Sequence, residues 1–333
     1  MATLYVADQD AVVQRVGERV RVVCEDKVLA RVPARNLESV FVFGDVTVTA
    51  PAIALMAKHE VQLAFLDRRG RFQARLICGR APLGPPHRLR AQYRWAANPA
   101  LVLASAAAVV SAKLTASRAW LLRLRRNHPD LGLDEAVDVI GRLRRAARAS
   151  GDLKAVRGIE GRGAAVNFHA LRAAIRSELP FPGRVRRPPT DLTNALLSLG
   201  YSLIRCEVEG QLHAQGLDAQ VGFLHAERAG RPALALDLME EFRVAVVDRL
   251  VLRCLNLRII QEADADDDET RGVRLKPDAC RRDVREYDRI MTALIRRRDG
   301  RLTSWRRVMH QQAREMLLAT RDERPYRPCE IRL

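Results

Sequence analysis

The sequence contains few lysines, and its cysteines do not occur in pairs. Lysine occurs five times, whereas Lys and Arg together number 57 among 333 residues. The six cysteines are scattered with no CxxC pair, which argues against a zinc ribbon and against a disulfide scaffold. Scattered, unpaired cysteines are typical of a reducing compartment, so we expect a cytoplasmic protein.

Features that would direct the chain to a membrane are also missing. The N-terminus, MATLYVADQD, has neither the basic nor the apolar region of a signal peptide. The longest apolar run, Ala100–Val110, is too short to span a bilayer and is rich in alanine, which favours a buried helix. The sequence therefore predicts no membrane insertion.

Several common ligand-binding motifs are absent. Neither GxGxxG nor GxxxxGK[ST] occurs, and no serine lies in a GxSxG context. The acidic run Asp264–Glu269 alternates aspartates as a calcium loop does, but Glu269 and Leu275 stand where an EF-hand loop needs Gly and Glu. These absences disfavour a dinucleotide fold, a P-loop and an α/β-hydrolase, and we interpret the acidic run as a solvated loop.

Positive charge is the main feature of the composition. The formal net charge is +17, which attracts polyanions by long-range Coulomb forces. Arginine suits phosphate because its planar guanidinium makes two parallel hydrogen bonds. Nucleic acid is therefore the predicted partner, and the alternative is that a GC-rich genome favours arginine codons.

The spacing of apolar residues predicts an α+β fold. Short Val-rich runs with close turns between residues 12 and 77 predict hairpins and a meander, interrupted by one short helix after Thr49. Residues 80–86 contain three prolines and a glycine, and helical periodicity follows from Leu89. We predict a small β-rich domain over residues 1–79, with dimerisation expected there, a proline-rich linker over 80–88, and a larger α-helical catalytic domain over 89–333.

Two segments each carry one candidate functional residue. Glu160 is flanked by glycines and can lie close to another backbone or to a ligand, or it is a helix-start glutamate favoured by the helix dipole. His225 follows an apolar stretch and is either a ligand or a core residue with its hydrogen bonds satisfied.

A third segment, Leu236–Arg243, is predicted to be a helix with one apolar face. On another face Asp237 lies beside Glu240 or Glu241, and carboxylates this close need a positive partner. That partner is either a divalent cation or an arginine, Arg243 or Arg249.

Phosphodiester chemistry gives the three segments a reason to meet. Cleavage or transfer needs charge neutralisation at the phosphate and an activated oxygen nucleophile, and a carboxylate-bound divalent metal supplies both. Carboxylate oxygens suit Mg²⁺ or Mn²⁺, and an imidazole shifts the preference towards Mn²⁺.

Four motifs, in this order, resemble one family. They are the Gly-Ile-Glu-Gly around Glu160, Asn194-Ala-Leu-Leu-Ser-Leu-Gly-Tyr201, Gly222-Phe-Leu-His225 and Asp237-Leu-Met-Glu-Glu-Phe-Arg243. Their order and spacing, over nearly the whole chain, are similar to those of the CRISPR-associated spacer-acquisition integrases, the Cas1 family. The resemblance implies a metal-dependent DNA endonuclease and integrase, a hydrolase acting on ester bonds, that inserts captured DNA into the CRISPR array by transesterification.

The resemblance also implies the site and the partners. The metal ligands for Mg²⁺ or Mn²⁺ fall on Glu160, His225 and Glu240, and Asp237 has a supporting role. The implied partners are double-stranded DNA, as captured spacer and CRISPR repeat, a second copy of the chain, and a small second acquisition protein whose dimer is flanked by two of these homodimers.

The chain departs from the family at Asn167, where Tyr is usual, and at Ala219-Gln220, where Pro-Tyr is frequent; neither change removes a ligand. Candidate DNA contacts are Arg184, Arg186, Arg187 and Arg243, which otherwise belong to a solvated basic face. Two other functions remain open: a non-catalytic DNA-binding scaffold, and a stand-alone repair nuclease acting on branched DNA.

Overall fold

The computed structural model describes residues 2–76, 85–176, 179, 181–186, 188–266, 272–297 and 300–329. Strands and one short helix fill the chain as far as residue 76, and helices dominate from Pro86 onward. This arrangement confirms the α+β class predicted from the sequence.

Two four-stranded sheets form the β-rich part. The first has the order β1-β5-β7-β8, with bounds Ala2–Val6, Leu37–Phe43, Gln62–Leu66 and Phe72–Leu76. The second has the order β4-β3-β2-β6, with bounds Lys27–Pro33, Arg19–Cys24, Val12–Val16 and Thr47–Val48. Strands β2, β3 and β4 form the predicted antiparallel meander, whose first turn uses Gly17 at φ +60°.

Among the described residues, the single α-helix of the β-rich part, α1, spans Ala50–Lys58, and a short 3-10 helix, Ala34–Asn36, precedes β5. Thr49 occupies the N-cap position, as predicted, but its hydroxyl donates to the carbonyl of Val13 at 3.2 Å instead of capping the helix. This hydrogen bond therefore connects the start of α1 to strand β2. Apolar side chains of both sheets and of α1 form a core of their own.

The helical part contains nine α-helices among the described residues. They are α2 (Pro86–Ala96), α3 (Pro99–Asn127), α4 (Asp134–Ala149), α5 (Leu153–Ala174), α6 (Leu192–Ala214), α7 (Ala233–Phe242), α8 (Arg249–Asn256), α9 (Pro277–Thr292) and α10 (Trp305–Arg321). A π-helical segment, Arg243–Asp248, joins α7 to α8. Two short strand pairs complete the chain: β9 (Ala265–Asp266) with β10 (Arg274–Leu275), and β11 (Ile295–Arg296) with β12 (Leu302–Thr303).

The predicted linker is partly helical. Helix α2 begins at Pro86, so the last three residues of the 80–88 stretch belong to it, since proline is compatible with the first turn of a helix. The earlier linker residues, 80–84, lie outside the described part of the chain.

Helix α3 is the central helix of the larger core. It contacts α4, α5 and α7, and the predicted buried run Ala100–Val110 forms its first third. By length and composition alone α3 could cross a membrane, yet half of its most apolar stretch is buried inside the protein. Helices that fill the centre of a globular core have the same composition.

Candidate metal centre and basic cavity

Glu160 lies in the middle of α5, not at a helix start. The helix begins at Leu153, where the Asp152 side chain accepts from the Ala155 amide, so the helix dipole does not account for Glu160. Three residues later, a Cβ on Gly163 would stand 2.4 Å from Cδ2 of Leu114 on α3. The glycine therefore allows α5 and α3 to approach closely, as expected for a carboxylate surrounded by glycines.

Lys113 on α3 lies between two of the candidate ligands. Its ammonium donates to Oε1 of Glu160 and, at 2.6 Å, to Oε2 of Glu240. Both carboxylates are therefore held on one nitrogen, and the structure brings together residues that are 80 positions apart in sequence. The side chain of Glu160 is 21% exposed and that of Glu240 is 1% exposed.

Glu240 is surrounded by basic side chains. Its Oε1 accepts from Arg243 at 2.8 Å and lies 3.8 Å from Nε2 of His225. Burial alone would raise the pKa of Glu240, but the charges of Arg243 and Lys113 outweigh burial and lower the pKa to about 2. Glu240 is therefore ionised at neutral pH, as a metal ligand must be.

The next residue, Glu241, is held on another side of the helix. Its carboxylate accepts from the Tyr326 hydroxyl and from the Cys329 amide at 2.7 Å. Burial raises the pKa of Glu241 to about 7. All three acidic residues of α7, Asp237, Glu240 and Glu241, are buried.

Asp237 orients His225. Its two oxygens accept the backbone amides of Phe223, Leu224 and His225 at 2.6–2.9 Å, and Nδ1 of His225 lies 2.6 Å from Oδ1. A carboxylate accepts, so Nδ1 carries the proton and Nε2 keeps its lone pair for a ligand bond. A Cβ on Gly222 would lie 2.5 Å from Asp237, so only glycine lets this loop lie on α7.

A second layer of polar side chains supports Glu240. Arg243 stacks over the ring of Tyr201, with its guanidinium carbon 4.4 Å from the centroid. The Tyr201 hydroxyl donates to Asp248 at 2.5 Å, and the Asn167 amide donates to the other oxygen at 2.7 Å. Arg243 and Asp248 both lie on the π-helical segment, a geometry that often marks functional sites. Asn167, the departure from the family, is thus a buried supporting residue.

The chemical types of the candidate ligand atoms suit a hard divalent cation. Two carboxylates and a neutral imidazole nitrogen are typical Mn²⁺ or Mg²⁺ ligands, and Nε2 of His225 lies 3.8 Å from Oε1 of Glu240. Among the described residues, no three His, Cys, Asp or Glu side chains are grouped closely enough to hold an ion. The ammonium of Lys113 lies between Glu160 and Glu240 instead.

The three candidate ligands share an arginine-rich cavity of about 880 Å³. Glu160, His225 and Glu240 line it together with Tyr201. Its arginines are Arg68, Arg69, Arg71, Arg184, Arg186, Arg205, Arg228, Arg231, Arg243 and Arg274. Such a concentration of guanidinium groups around two carboxylates suits a polyanion brought to a metal ion.

A β-hairpin supplies three of these arginines. The turn between β7 and β8 is held by Asp67, whose Oδ1 accepts the amides of Arg69 and Arg71 at 2.8 Å. Gly70, at φ +73°, lies against Leu199 of α6, where a Cβ would be 2.2 Å from Cδ1. The β-rich part thus reaches into the cavity of the helical part.

The predicted DNA-contacting arginines have different positions. Arg186 is exposed at the cavity, whereas Arg187 lies outside the described residues. Arg184 donates to Asn194 at 2.9 Å and to Ser198 at 3.1 Å, and burial lowers its pKa to about 10. Arg243 is engaged by Glu240. Among the three of these arginines that the structure describes, Arg186 has the most accessible side chain.

Sequence reasoning missed Lys113 and the hairpin arginines. Lys113 carries no motif, and its one local signal is a lone cation in an Ala-rich, otherwise apolar stretch of α3. The hairpin sequence Asp67-Arg68-Arg69-Gly70 is typical of a turn, and nothing in it indicates a position beside the candidate ligands.

Comparison with known proteins identifies the family. The family described as "CRISPR associated protein Cas1" matches residues 4–289. A CRISPR-associated endonuclease Cas1 of Rhodospirillum rubrum is 37% identical over 276 residues, which are 79% of this chain and 78% of that protein. These matches place the chain among the CRISPR-associated endonucleases. The chain belongs to the Cas1 family, as its four motifs indicated.

Two solved structures share the whole fold. A casposase bound to an integration product has a TM-score of 0.86 at 23% identity, covering 98% of this chain and 93% of the casposase chain. A Cas6-RT-Cas1–Cas2 complex has a TM-score of 0.84 at 23% identity, covering 99% of this chain and 36% of that chain. At this identity the likeness concerns the fold.

Proposed function

We propose that the chain is a divalent-metal-dependent DNA endonuclease and integrase that inserts captured spacer DNA into the CRISPR array by transesterification. The observation that carries the proposal is the meeting of Glu160, His225 and Glu240 at one arginine-lined cavity. Family membership and the casposase fold, solved with an integration product, agree with it.

Each side chain then has a defined task. Glu160, His225 and Glu240 would hold Mn²⁺ or Mg²⁺, which when bound supplies charge neutralisation at the phosphate and activation of the attacking oxygen. Asp237 holds the proton of His225 on Nδ1, and Arg243 keeps Glu240 ionised. The cavity arginines orient the DNA backbone, so that a 3′-hydroxyl faces the repeat phosphodiester.

The proposed assembly is a homodimer that acts with Cas2. A Cas1–Cas2 complex is among the structures with this fold. Val28 and Leu29 are 51% and 41% exposed on β4, which is an edge strand of its sheet. An apolar edge strand favours pairing with another chain, and a second copy of the chain is the proposed partner.

The first prediction tests the ligand set. Glu160→Gln, His225→Ala and Glu240→Gln should each abolish Mn²⁺-supported cleavage and strand transfer into a CRISPR repeat, because each removes one ligand. The measurement is a gel assay of labelled spacer DNA with purified protein and Cas2. Circular dichroism and thermal melting establish that each variant is folded.

Glu241→Gln is the matched control, since it alters the adjacent carboxylate of the same helix, away from the cavity. Its activity should match the unsubstituted protein. Full activity of any ligand variant would refute the assignment. If the protein is a non-catalytic DNA-binding scaffold, a metal chelator should have no effect on any DNA reaction. If it is a repair nuclease, it should prefer branched DNA that contains no CRISPR repeat.

A further inference from the structure

Lys113 is the buried lysine of this chain. It is 4% exposed, whereas Lys27, Lys58, Lys154 and Lys276 are all exposed. Leu114 and Val110, its neighbours on α3, belong to the core. A lysine is rarely buried unless it is paired, so its contacts reveal why it is there.

Its partners are the two carboxylates proposed to bind metal. The ammonium donates to Oε1 of Glu160 and to Oε2 of Glu240. The other oxygen of Glu240 is engaged by Arg243. In the described part of the chain, Lys113 is the only side chain that hydrogen-bonds Glu160. Lys113 therefore offsets part of the negative charge of the pair and hydrogen-bonds both of its members.

Electrostatics makes this contact necessary without metal and unfavourable with it. Two carboxylates that share one ammonium repel each other, and removing that ammonium would leave Glu160 without its ion-pair partner. A divalent ion would remove the same repulsion from the same oxygens. The ion needs carboxylate oxygens at about 2.1 Å, and an ammonium bound to them repels it.

We propose that Lys113 is an internal cation that holds Glu160 and Glu240 together in the metal-free protein and competes with the divalent ion for them. This inference rests on the proposed function, because it takes both carboxylates to be ligands. Metal binding then includes displacement of the ammonium from at least one carboxylate. Lys113 acts through Glu160 and Glu240 and is a positioning residue that sets the metal affinity.

The test is Mn²⁺ binding by Lys113→Met, a variant of similar length without charge. Free Mn²⁺ is counted by electron paramagnetic resonance during titration of the whole protein without DNA. The variant should bind Mn²⁺ at least about tenfold more tightly than the unsubstituted protein, since a like charge has been removed from beside the ion. Its metal-free melting temperature should fall, and added Mn²⁺ should raise it more than in the unsubstituted protein.

Lys154→Met is the matched control, because it removes the same charge from the exposed surface of α5 and leaves the pair intact. Equal tightening in this control would overturn the proposal, since the effect would then be one of net charge. Unchanged or weaker Mn²⁺ binding by Lys113→Met would overturn it as well. Absence of Mn²⁺ binding by the unsubstituted protein, or full binding by Glu160→Gln, would instead overturn the ligand assignment.

A second measurement follows the metal-induced change in the unsubstituted protein and uses a variant only to assign the signal. The chain has five lysines, so ¹⁵N-labelled lysine gives a simple side-chain NMR spectrum of the unsubstituted protein. The Lys113 ammonium, protected by its two carboxylates, should give a resolved signal that changes on saturation with Mg²⁺ while the other four do not. Lys113→Gln assigns the signal. A Lys113 signal unaffected by bound Mg²⁺ would contradict competition.

Discussion

Asp237 shows how one buried carboxylate fixes the chemistry of a neighbouring imidazole. It is fully buried, and it accepts hydrogen bonds from Nδ1 of His225 and from three backbone amides. The same side chain therefore shapes the loop and selects the tautomer. Because the proton is held on Nδ1, the lone pair of Nε2 faces Glu240.

Replacing Asp237 by Asn should disturb the tautomer more than the fold. An amide NH₂ facing Nδ1 would favour the tautomer with the proton on Nε2. The protonated Nε2 then has no lone pair for the metal ion in the cavity. We expect Mn²⁺ affinity and strand transfer to fall about 10–100-fold, as is usual for such supporting groups. Mn²⁺ titration and ¹⁵N-histidine NMR provide the measurements. Unchanged affinity with the proton still on Nδ1 would show that Asp237 only shapes the loop.

The site was partly predictable at the level of residues. The motifs around Glu160, His225 and Glu240 could be found in the sequence, but helical periodicity could not separate Glu240 from Glu241, since both are buried. Their difference is in their partners, Lys113 and Tyr326, which come from distant parts of the chain. Lys113 was not predictable because a lone lysine on an apolar helix gives no pattern.

At the level of elements, α9 packs against α8 through a buried acid. Asp283 of α9 is fully buried and accepts from the Cys254 thiol of α8 at 3.7 Å. Burial raises the pKa of Asp283 to about 7. Between about pH 4 and 7 the folded protein therefore keeps a proton that the unfolded chain has lost. Stability from this group is full at low pH and decreases as pH rises through 7.

Asp283→Asn should remove this dependence, because an amide resembles the protonated carboxyl. We expect the variant and the unsubstituted protein to be about equally stable near pH 4, and the advantage of the variant to grow from there to about pH 7. Near pH 8 the variant should be more stable by on the order of 2–4 kcal/mol. Urea unfolding of both proteins at both pH values gives the difference in their free energies of unfolding. Glu241 is present in both proteins, so its own pH dependence cancels in this difference. Parallel pH profiles would mean that Asp283 is ionised in the folded state.

The elements themselves were predictable to different degrees. Alternating valines gave the antiparallel meander β2–β3–β4, in which neighbours in sequence are neighbours in space. The parallel pairing of β1 with β5 and of β5 with β7 was not predicted, because it joins distant segments and leaves no local turn signal. The π-helical segment was not predicted either, since its apolar sequence also suits an α-helix.

The two parts of the whole molecule are joined by a buried polar network. Glu207 of α6 accepts from the Tyr5 hydroxyl of β1 and from Arg306 of α10, both at 3.2 Å. Arg306 also donates to Asp288 of α9 at 2.8 Å. Three helices and the first sheet thus meet at one carboxylate that is 7% exposed. This junction fixes the sheet that carries the hairpin arginines.

Arg306→Met should destabilise the protein by about 3–5 kcal/mol, because it leaves Glu207 buried without a cation. The measurement is denaturant unfolding followed by tryptophan fluorescence. Adding Glu207→Gln to Arg306→Met should restore much of the loss, since the uncompensated charge disappears. If the double variant is no more stable than the single one, packing and not charge accounts for the effect.

Consecutive side chains on α7 are held from two directions, about 100° apart around the helix axis. Lys113 and Arg243 hold Glu240, while Tyr326 and Cys329 hold Glu241. A helix held in this way cannot turn about its own axis without breaking a contact on one side. The rotation of α7 about its axis, which determines where Glu240 points, is therefore fixed by two sets of contacts. One set lies in the cavity, and the other is formed by Tyr326 and Cys329 with Glu241.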